Sequence, residues 1–240
     1  MTLVVEFGGG GVVIEDAEGV REVGGFVAGL PLGAMRIRGE GVQCVEVRMA
    51  PGRAYSLLGI SPTDLGRGVV TVEDMWGVRG GALRERLAAA EGWGERFAVT
   101  KSFLARNETP WSADPEVREG WERILASRGQ VRIGELADMV GWSRKRLLAR
   151  FEAQIGLTPK RAAMLVRFRH AVDELLAGRP AAEVAVECGY TDQAHLCRDV
   201  SIFTNGTPGA VAERHLPAIA RQRYRAWGKF FQYRPGVAAR

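Results

Sequence analysis

Four cationic side chains lie near the start of one predicted helix in the second half of the chain. Ser143 is followed directly by Arg144, Lys145 and Arg146, and Arg150 comes one helical turn later. Positive charge at a helix N-terminus opposes the helix macrodipole, so this cluster is disfavoured unless an anion lies nearby. An arginine can hold guanine with two hydrogen bonds or clamp a phosphate, and a lysine can do either as a point charge. The cluster therefore favours contact with a polyanion over the alternative of a solvated, charged helix start.

A second predicted helix, over residues 192–203, carries side chains of a different kind. Gln193 has the donor and acceptor pair that suits adenine, and Arg198 suits guanine. Asp192 is predicted to cap the helix, because a carboxylate near phosphates would repel them. His195 either reaches a phosphate or a base or is an ordinary, partly exposed histidine, and both interpretations stay open. Cys197 is predicted to be a small packing or contact residue.

An internal repeat gives these two helices equivalent surroundings. The sequence Leu136-Ala137-Asp138-Met139-Val140-Gly141-Trp142-Ser143 is echoed 48 residues later by Val184-Ala185-Val186-Glu187-Cys188-Gly189-Tyr190-Thr191. Each copy has a small residue four positions before a glycine, then a hydroxyl residue that can cap the next helix, then an inward leucine and a Thr-Pro pair. These positions are Ala137 and Ala185, Gly141 and Gly189, Ser143 and Thr191, Leu147 and Leu196, and Thr158-Pro159 and Thr207-Pro208.

The spacing within each copy is that of a helix-turn-helix. Two helices that cross at a steep angle need a small residue where they touch and a left-handed residue in the turn, which glycine adopts at the lowest cost. A single match fits any tight corner between helices, but two matches with the same residues downstream favour two helix-turn-helix units. Between them, residues 159–177 have the apolar stripe of one long helix, roughly 28 Å at 1.5 Å per residue. Because successive major-groove faces lie about 34 Å apart, the pattern predicts a chain that reads a tandem, non-palindromic DNA site.

Residues 116–214 resemble the DNA-binding domain of the AraC/XylS family of bacterial transcription regulators, in which a long helix joins two helix-turn-helix units. The resemblance covers about 40% of the chain. The matching stretches are Ile133-x-x-Leu136-Ala137-x-x-Val140-Gly141-x-Ser143-x-x-x-Leu147-x-x-x-Phe151, Gly156-x-x-Pro159, Arg167-x-x-x-Ala171-x-x-x-Leu175-Leu176 and Val184-Ala185-x-x-Cys188-Gly189-Tyr190-x-Asp192-Gln193-x-His195-Leu196-x-Arg198. It implies a cytoplasmic regulator that binds double-stranded promoter DNA and contacts RNA polymerase.

The resemblance also implies which side chains face the bases. In the first unit they are Lys145, Leu148 and Ala149, and the two apolar residues stand where the family usually has polar or arginine side chains. Leu148 and Ala149 would contact thymine methyl groups, which leaves hydrogen bonding to Lys145, Arg146 and Arg144. The full set predicted to contact DNA is Ser143, Arg144, Lys145, Arg146, Leu148, Ala149, Arg150, Thr191, Gln193, Ala194, His195, Cys197 and Arg198.

The first part of the chain has a different pattern. Residues 1–60 alternate short apolar runs with glycine-rich turns, and 20 of the 31 glycines lie in the first 112 residues, which is typical of short strands. Short helices are expected over residues 54–58, from 61, over 80–90 and over 94–106. Prolines and cap-forming residues at 107–115 indicate a domain boundary. The predicted fold class is α+β, with a β-rich, cupin-like module at 1–110, an all-α domain of about seven helices at 113–216, and a C-terminal tail at 217–240.

Residues 54–60 and 72–77 give the first module a looser resemblance to the β-rich sensor domain of one subgroup of these regulators. Relative to that subgroup the chain begins late, which predicts a truncated barrel. The resemblance implies that the module binds a small-molecule effector or forms a homodimer. Five of its side chains are candidates to line an apolar ligand pocket, with plain core packing as the alternative. They are Met35, Met49, Tyr55, Trp76 and Trp93.

The charge of the chain is unevenly distributed. The formal net charge is +5 at pH 7, but residues 1–112 carry a net charge of −2 and residues 113–216 a net charge of +1. Residues 217–240 contain six cations and no acid, interleaved with aromatic side chains. This tail is expected to add phosphate contacts, to lie on an anionic membrane, or to pack its aromatic residues on the first module. The local cluster at residues 144–150, rather than the total charge, is what points to DNA.

Composition argues against several other classes of protein. The three cysteines, Cys44, Cys188 and Cys197, are too few and too irregularly spaced for a disulfide framework or a zinc site, and they fit a reducing cytoplasm. The sequence has neither a signal-peptide pattern nor 18 consecutive apolar residues, so we expect no secreted or membrane-spanning protein.

An enzyme is also disfavoured. All three histidines, His170, His195 and His215, lie in the helical half, which leaves a cupin-type metal centre without its usual ligands. Cys44 lies in an apolar alternation and lacks the partners of an activated alkyl-acceptor thiol. We therefore expect no catalysis, metal or cofactor. The remaining alternative is an anti-regulator or partner-binding protein that keeps the helical fold but has lost base readout.

Overall fold

The computed structural model describes residues 1–16, 19–30, 35–60, 65, 68–109 and 113–213. The chain divides into two compact units, Met1–Ser112 and Ala113–Arg240. Each unit is described by itself below.

The first unit contains seven described strands. They are β1 (Thr2–Glu6), β2 (Val12–Asp16), β3 (Gly19–Val23), β4 (Gly25–Ala28), β5 (Arg36–Arg38), β6 (Cys44–Arg48) and β7 (Val69–Thr71). Antiparallel pairing arranges them in a four-stranded sheet of order β6-β1-β4-β7 and a three-stranded sheet of order β3-β2-β5. The two sheets share one apolar core, to which β2 contributes Val12 and Ile14 and β4 contributes Phe26.

Four described helices belong to the same unit. They are α1 (Pro51–Leu58), α2 (Val72–Trp76), α3 (Val78–Ala89) and α4 (Trp93–Asn107). Helix α1 begins at Pro51, three residues before the helix start expected at residue 54, because the fixed φ angle of proline suits the first helical position. The helix ends at Gly59, which adopts a left-handed conformation with φ 68°. The helix expected from residue 61 falls mainly on residues outside the described part of the chain.

The second unit is helical throughout its described residues. The seven helices of this range are α5 (Pro115–Ala126), α6 (Ile133–Met139), α7 (Arg144–Ile155), α8 (Pro159–Leu176), α9 (Ala181–Glu187), α10 (Gln193–Thr204) and α11 (Pro208–Ala212). The predicted order of a β-rich part followed by an all-α part is thus confirmed. The tail at residues 217–240 and His215 lie outside the described residues.

Helix α8 carries part of the apolar core that supports the second helix-turn-helix. Its residues Ala171, Val172 and Leu175 pack with Val184 and Ala185 of α9. Leu196 and Val200 of α10 and Val211 of α11 complete the same cluster. The inward face of α10 is therefore fixed by burial, which leaves its opposite face for solvent or a partner.

Candidate DNA-binding surface

Helix α7 presents a cationic face because its other face is buried. Leu147, Phe151 and Ile155 follow one another at four-residue spacing and are fully or almost fully buried, as in an amphipathic helix. The six predicted contact residues of this helix are all exposed. They are Arg144, Lys145, Arg146, Leu148, Ala149 and Arg150. Leu148 is 47% exposed, a large apolar side chain within an otherwise polar face.

The start of α7 is shaped by the turn before it. The Ser143 hydroxyl accepts a hydrogen bond from the backbone N–H of Arg146 at 3.2 Å, which confirms the predicted cap. Gly141 has a φ angle of +67°, and Ala137 is buried, as the helix-turn-helix pattern requires. The Arg146 guanidinium lies 4.5 Å from the centre of the Trp142 ring, a cation–π contact that holds it beside the helix start.

Arg150 differs from the other cations of α7. Its Nε and Nη2 atoms donate to Asp114 Oδ2 at 2.9 and 2.6 Å, so it ties α7 to the residue before α5. Hydrogen bonding from the Gln154 side chain, and then Arg150 itself, lowers the pKa of the Asp114 carboxyl. The structure thus gives Arg150 a partner in Asp114, and its role as a DNA contact stays a prediction.

The second helix-turn-helix, formed by α9 and α10, repeats this geometry with one extra residue in the turn. Gly189 has a φ angle of +72°, and Ala185 and Leu196 are buried. The cap of α10 is Asp192, whose Oδ1 accepts from the His195 N–H at 2.7 Å. The predicted cap, Asp192, is therefore confirmed, whereas Thr191, which the repeat with Ser143 also offered, does not cap this helix. Corresponding residues of the two repeats are 48 positions apart at Gly141 and Gly189, and 49 positions apart at Leu147 and Leu196.

The shift aligns the exposed faces of the two helices. Gln193 stands where Arg144 stands in α7, Ala194 matches Lys145, and Arg198 matches Ala149. In α10 and its preceding turn the predicted contact residues Thr191, Gln193, Ala194 and Arg198 are exposed, and His195 and Cys197 are half-buried. The Arg198 Nε lies 3.4 Å from the carbonyl oxygen of Ala194.

A polar cluster that the sequence analysis did not identify joins α10 to α8. The Arg167 Nη2 atom lies 3.3 Å from Asp199 Oδ2 and 3.4 Å from His195 Nε2. The Arg167 guanidinium also lies 4.5 Å from the centre of the Tyr190 ring, and the His195 ring meets Tyr190 edge-on at 5.1 Å. The signal was present in the sequence, because Asp199 falls on the inward stripe of α10 with Leu196 and Phe203.

Two acidic residues of the second helix-turn-helix, Asp192 and Asp199, have partners within the fold. Asp199 is 4% exposed and paired with Arg167, and Asp192 is engaged as a cap. The Asp199 carboxylate is thus buried and paired with a cation, whereas the exposed Asp192 carboxylate holds the backbone at the start of α10. With its ring nitrogens facing Arg167 and Thr191, His195 takes part in the packing of the second unit.

The five candidates for an apolar ligand pocket lie in different surroundings. Met49, Tyr55 and Trp76 are buried, whereas Met35 and Trp93 are 38% and 52% exposed. Trp76 donates from Nε1 to the Leu58 carbonyl oxygen at 3.3 Å and packs edge-on against Phe103. Burial raises the pKa of the Tyr55 hydroxyl. A pocket shared by these five side chains stays a prediction.

Two findings concern other kinds of site. Across the described ranges, no helix combines the length and the apolar character needed to cross a membrane. Within the same part of the chain, no three histidine, cysteine or acidic side chains are grouped so that they could bind a metal ion.

Comparison with known proteins bears on the helical unit. The family model of a helix-turn-helix domain matches residues 136–214, a stretch that begins inside α6 and includes α7 to α11. No curated protein matches the chain.

Two proteins of known structure are similar to parts of this chain. The C-terminal domain of AraT, a response regulator from Geobacillus stearothermophilus, is similar with a TM-score of 0.40 and 19% identity, covering 44% of this chain and 90% of that one. ToxT from Vibrio cholerae gives a TM-score of 0.48 with 12% identity over 88% of each chain. ToxT bound to an unsaturated fatty acid gives 0.46 with 10% identity, over 88% of this chain and 86% of that one.

Proposed function

We propose that this chain is a DNA-binding transcription regulator that reads two adjacent major grooves of promoter DNA. The match of residues 136–214 to a helix-turn-helix domain supports the proposal. Helix α7 enters one groove and α10 the next. The site is then tandem and non-palindromic, because both reading helices come from one chain.

The observation that carries this proposal is the repeated geometry of the two helix starts. Both begin after a left-handed glycine, both are capped by a side chain, and both keep one apolar face in the core. Helix α8, which joins the two helix-turn-helix units, has 18 residues and is roughly 27 Å long at 1.5 Å per residue. That length is suited to two grooves whose faces lie about 34 Å apart.

The two helices supply different contacts. Arg144, Lys145 and Arg146 at the start of α7 offer phosphate clamps and guanine contacts, and the exposed Leu148 offers an apolar contact to a thymine methyl group. In α10, Gln193 suits adenine and Arg198 suits guanine. We therefore assign most of the hydrogen-bonded base readout to α10, and most of the electrostatic anchoring to α7.

The second candidate function is a partner-binding or anti-regulator protein with degraded base readout. The apolar Leu148 and Ala149 favour it. Against it, the Asp199 carboxylate, whose charge would repel phosphates, is buried and paired with Arg167. The exposed cations at the start of α7 also favour an anionic partner over a merely solvated surface.

We extend the proposal to the rest of the chain. The first unit binds a small-molecule effector or a second protomer and alters how the reading helices are presented, and the chain contacts RNA polymerase in the bacterial cytoplasm. No part of the chain is catalytic in this proposal.

Selection of genomic DNA fragments bound by the purified chain tests the proposal. The recovered site is expected to contain two elements about one helical turn apart, and salt-titrated binding should favour it over random DNA by at least about a thousandfold. Equal affinity for selected and random fragments would instead favour the anti-regulator.

A further inference from the structure

A polar cleft in the first unit lies apart from the five apolar pocket candidates. Its volume is about 290 Å³, close to the lower end of the roughly 300–1,000 Å³ typical of small-molecule sites. It forms where β1 and β3 end, with the glycine-rich turn after β1 on one side and α3 on the other. The lining residues that matter here are Glu6, Gly9, Gly11, Glu22, Gly24 and Arg84.

Glu6 is the most unusual of these residues. Its side chain is 1% exposed, and its Oε1 atom accepts a hydrogen bond from the Gly8 N–H at 2.6 Å. The second oxygen, Oε2, accepts no hydrogen bond from any residue in the described ranges. The nearest cation is the Arg84 Nη2 atom, 3.6 Å away. A buried carboxylate oxygen without a donor is costly, so it favours a ligand that supplies one.

Among the described residues, Arg84 is the one cationic side chain that lines the cleft, and it is already shared. It donates from Nε to the Glu6 carbonyl oxygen at 3.2 Å and from Nη1 to Glu73 Oε1 at 3.3 Å. Glu22 is the second carboxylate of the lining, and it has no ion-pair partner in the part of the chain that the structure describes. The lining therefore holds two carboxylates and one guanidinium, and that guanidinium also pairs with Glu73, which lies outside the lining. This excess of negative charge favours a cationic ligand and disfavours an anionic one.

Two glycines allow the charged groups to lie where they do. A Cβ atom on Gly11 would come within 1.8 Å of Glu22 Oε1, and one on Gly24 would come within 2.0 Å of the Arg84 Cζ atom. Any larger residue at either position would displace the side chain that lines the cleft. The charged lining therefore depends on the absence of side chains at these two positions.

We propose that this cleft binds a small organic cation, with an ammonium or guanidinium group held by Glu6 and Glu22. The N–H groups of this cation supply the hydrogen-bond donor that Glu6 Oε2 lacks. The inference rests on the proposed function only in naming this cation the effector of the regulator.

Calorimetric titration of the full chain with four matched probes tests the proposal. The probes n-butylammonium, n-butylguanidinium, n-butanol and butyrate have similar alkyl chains and differ in the head group. We expect the two cations to bind one per chain and the alcohol and the anion not to bind. In ¹H–¹⁵N spectra the cations should shift the amide signals of Gly9, Gly11 and Gly24.

Three variants locate the site. Glu22→Gln should weaken binding of the cations about tenfold, because one of two charged partners is removed, and Glu6→Gln should weaken it further. Glu15→Gln, which removes an exposed carboxylate of β2 that pairs with Arg36 and Arg38, should bind as the parent does. Glu22 is exposed, so its variant decides the matter even where Glu6→Gln does not fold.

Three results would overturn the proposal. They are no saturable binding of either cation up to about 10 mM, a concentration that corresponds to negligible affinity, preferential binding of butyrate, and unchanged binding of the cations to Glu22→Gln. The titration needs no DNA. A chain that binds the cations but prefers no DNA sequence would contradict the proposed function alone, whereas a chain that reads DNA but binds neither cation would contradict only the cleft.

Discussion

Arg198 is the side chain on which base readout by α10 most depends. It lies on the exposed face of the helix and makes no salt bridge within the described residues. Arg198→Ala should weaken binding to the selected site by about 1–3 kcal/mol and relax the preference at one base pair, because alanine cannot form the two hydrogen bonds to guanine. Competition binding with single-base variants of the site measures both effects.

Arg86→Ala is the matched control for this variant. It removes the same charge from an exposed position of α3 and should leave the affinity and the base preference unchanged. A uniform loss for every sequence variant would make Arg198 a phosphate contact. Unchanged affinity for both Arg198→Ala and Gln193→Ala would remove α10 from the base readout.

The individual side chains of the site could be predicted from the sequence only where the cause is local. Ser143 is predictable as a cap because a hydroxyl residue directly precedes an amphipathic stretch. For α10 the repeat offers Thr191, but Asp192 is predicted as the cap because a free carboxylate would repel phosphates, and the longer turn of the second helix-turn-helix places Asp192 there. The inward position of Asp199 indicates a buried acid that needs a partner, but that partner, Arg167, lies about 30 positions away on a separate helix, so no local pattern identifies it.

At the scale of the element, Arg167 acts as a clamp that sets the position of α10. It lies mostly buried between Asp199, His195 and Tyr190, with side-chain exposures of 17% for Arg167 and 5% for Asp199. Arg167→Met should destabilise the chain by about 3 kcal/mol, because the Asp199 carboxylate is left buried without its partner. Urea denaturation measures the loss.

The double variant Arg167→Met with Asp199→Leu separates stability from positioning. Removing both charges should restore most of the stability, but the interactions that hold His195 and Tyr190 do not return. Footprinting should then show weaker protection of the half-site read by α10 and normal protection of the half-site read by α7. Equal protection of both half-sites in the double variant would mean that Arg167 contributes stability only.

The helix-turn-helix corner makes a second prediction at this scale. Gly141 has a φ angle of +67°, and a Cβ atom at this position would meet nothing within 4 Å, so Gly141→Ala tests backbone conformation alone. It should destabilise the chain by about 1 kcal/mol, because an L-residue is strained there. Gly81→Ala is the control, since Gly81 lies within α3 with equally open space, and it should stabilise by about 0.5–1 kcal/mol. Opposite signs in urea denaturation are the expected result, and a stabilising Gly141→Ala would contradict a left-handed turn.

Elements were predictable from the sequence in proportion to their length and periodicity. The long helices of the second unit follow a clear apolar stripe, and the spans expected at 159–177 and 192–203 agree with α8 and α10 to within one residue. Strand β5, Arg36–Arg38, is fully exposed and has two charged residues among three, and β7 has three residues, so neither carries a recognisable alternation. These strands form because neighbouring strands offer them hydrogen bonds, which is a tertiary effect.

At the scale of the whole molecule, net charge is a poor guide to DNA binding. The value of +5 combines an acidic first part, a nearly neutral helical part and a cationic tail. The described ion pairs sharpen this point, because Arg150, Arg167 and Arg179 are matched by carboxylates within the second unit. We therefore expect the cations at the start of α7 to contribute more to DNA binding than the net charge of the chain does.

The salt dependence of binding tests whether local or total charge governs affinity. Each phosphate that a cation neutralises releases counterions, so the slope of log K against log salt falls by about one when one such cation is removed. Lys145→Ala should reduce the slope by about one, whereas Arg86→Ala, which lowers the net charge by the same amount, should leave it unchanged. Binding to the selected site and to random DNA should weaken together in Lys145→Ala where the lysine anchors a phosphate, since such a contact is blind to sequence. A larger loss at the selected site would instead make Lys145 the base contact that the family resemblance implies. An equal change of slope in both variants would mean that the field of the whole chain, rather than the cationic start of α7, attracts the DNA.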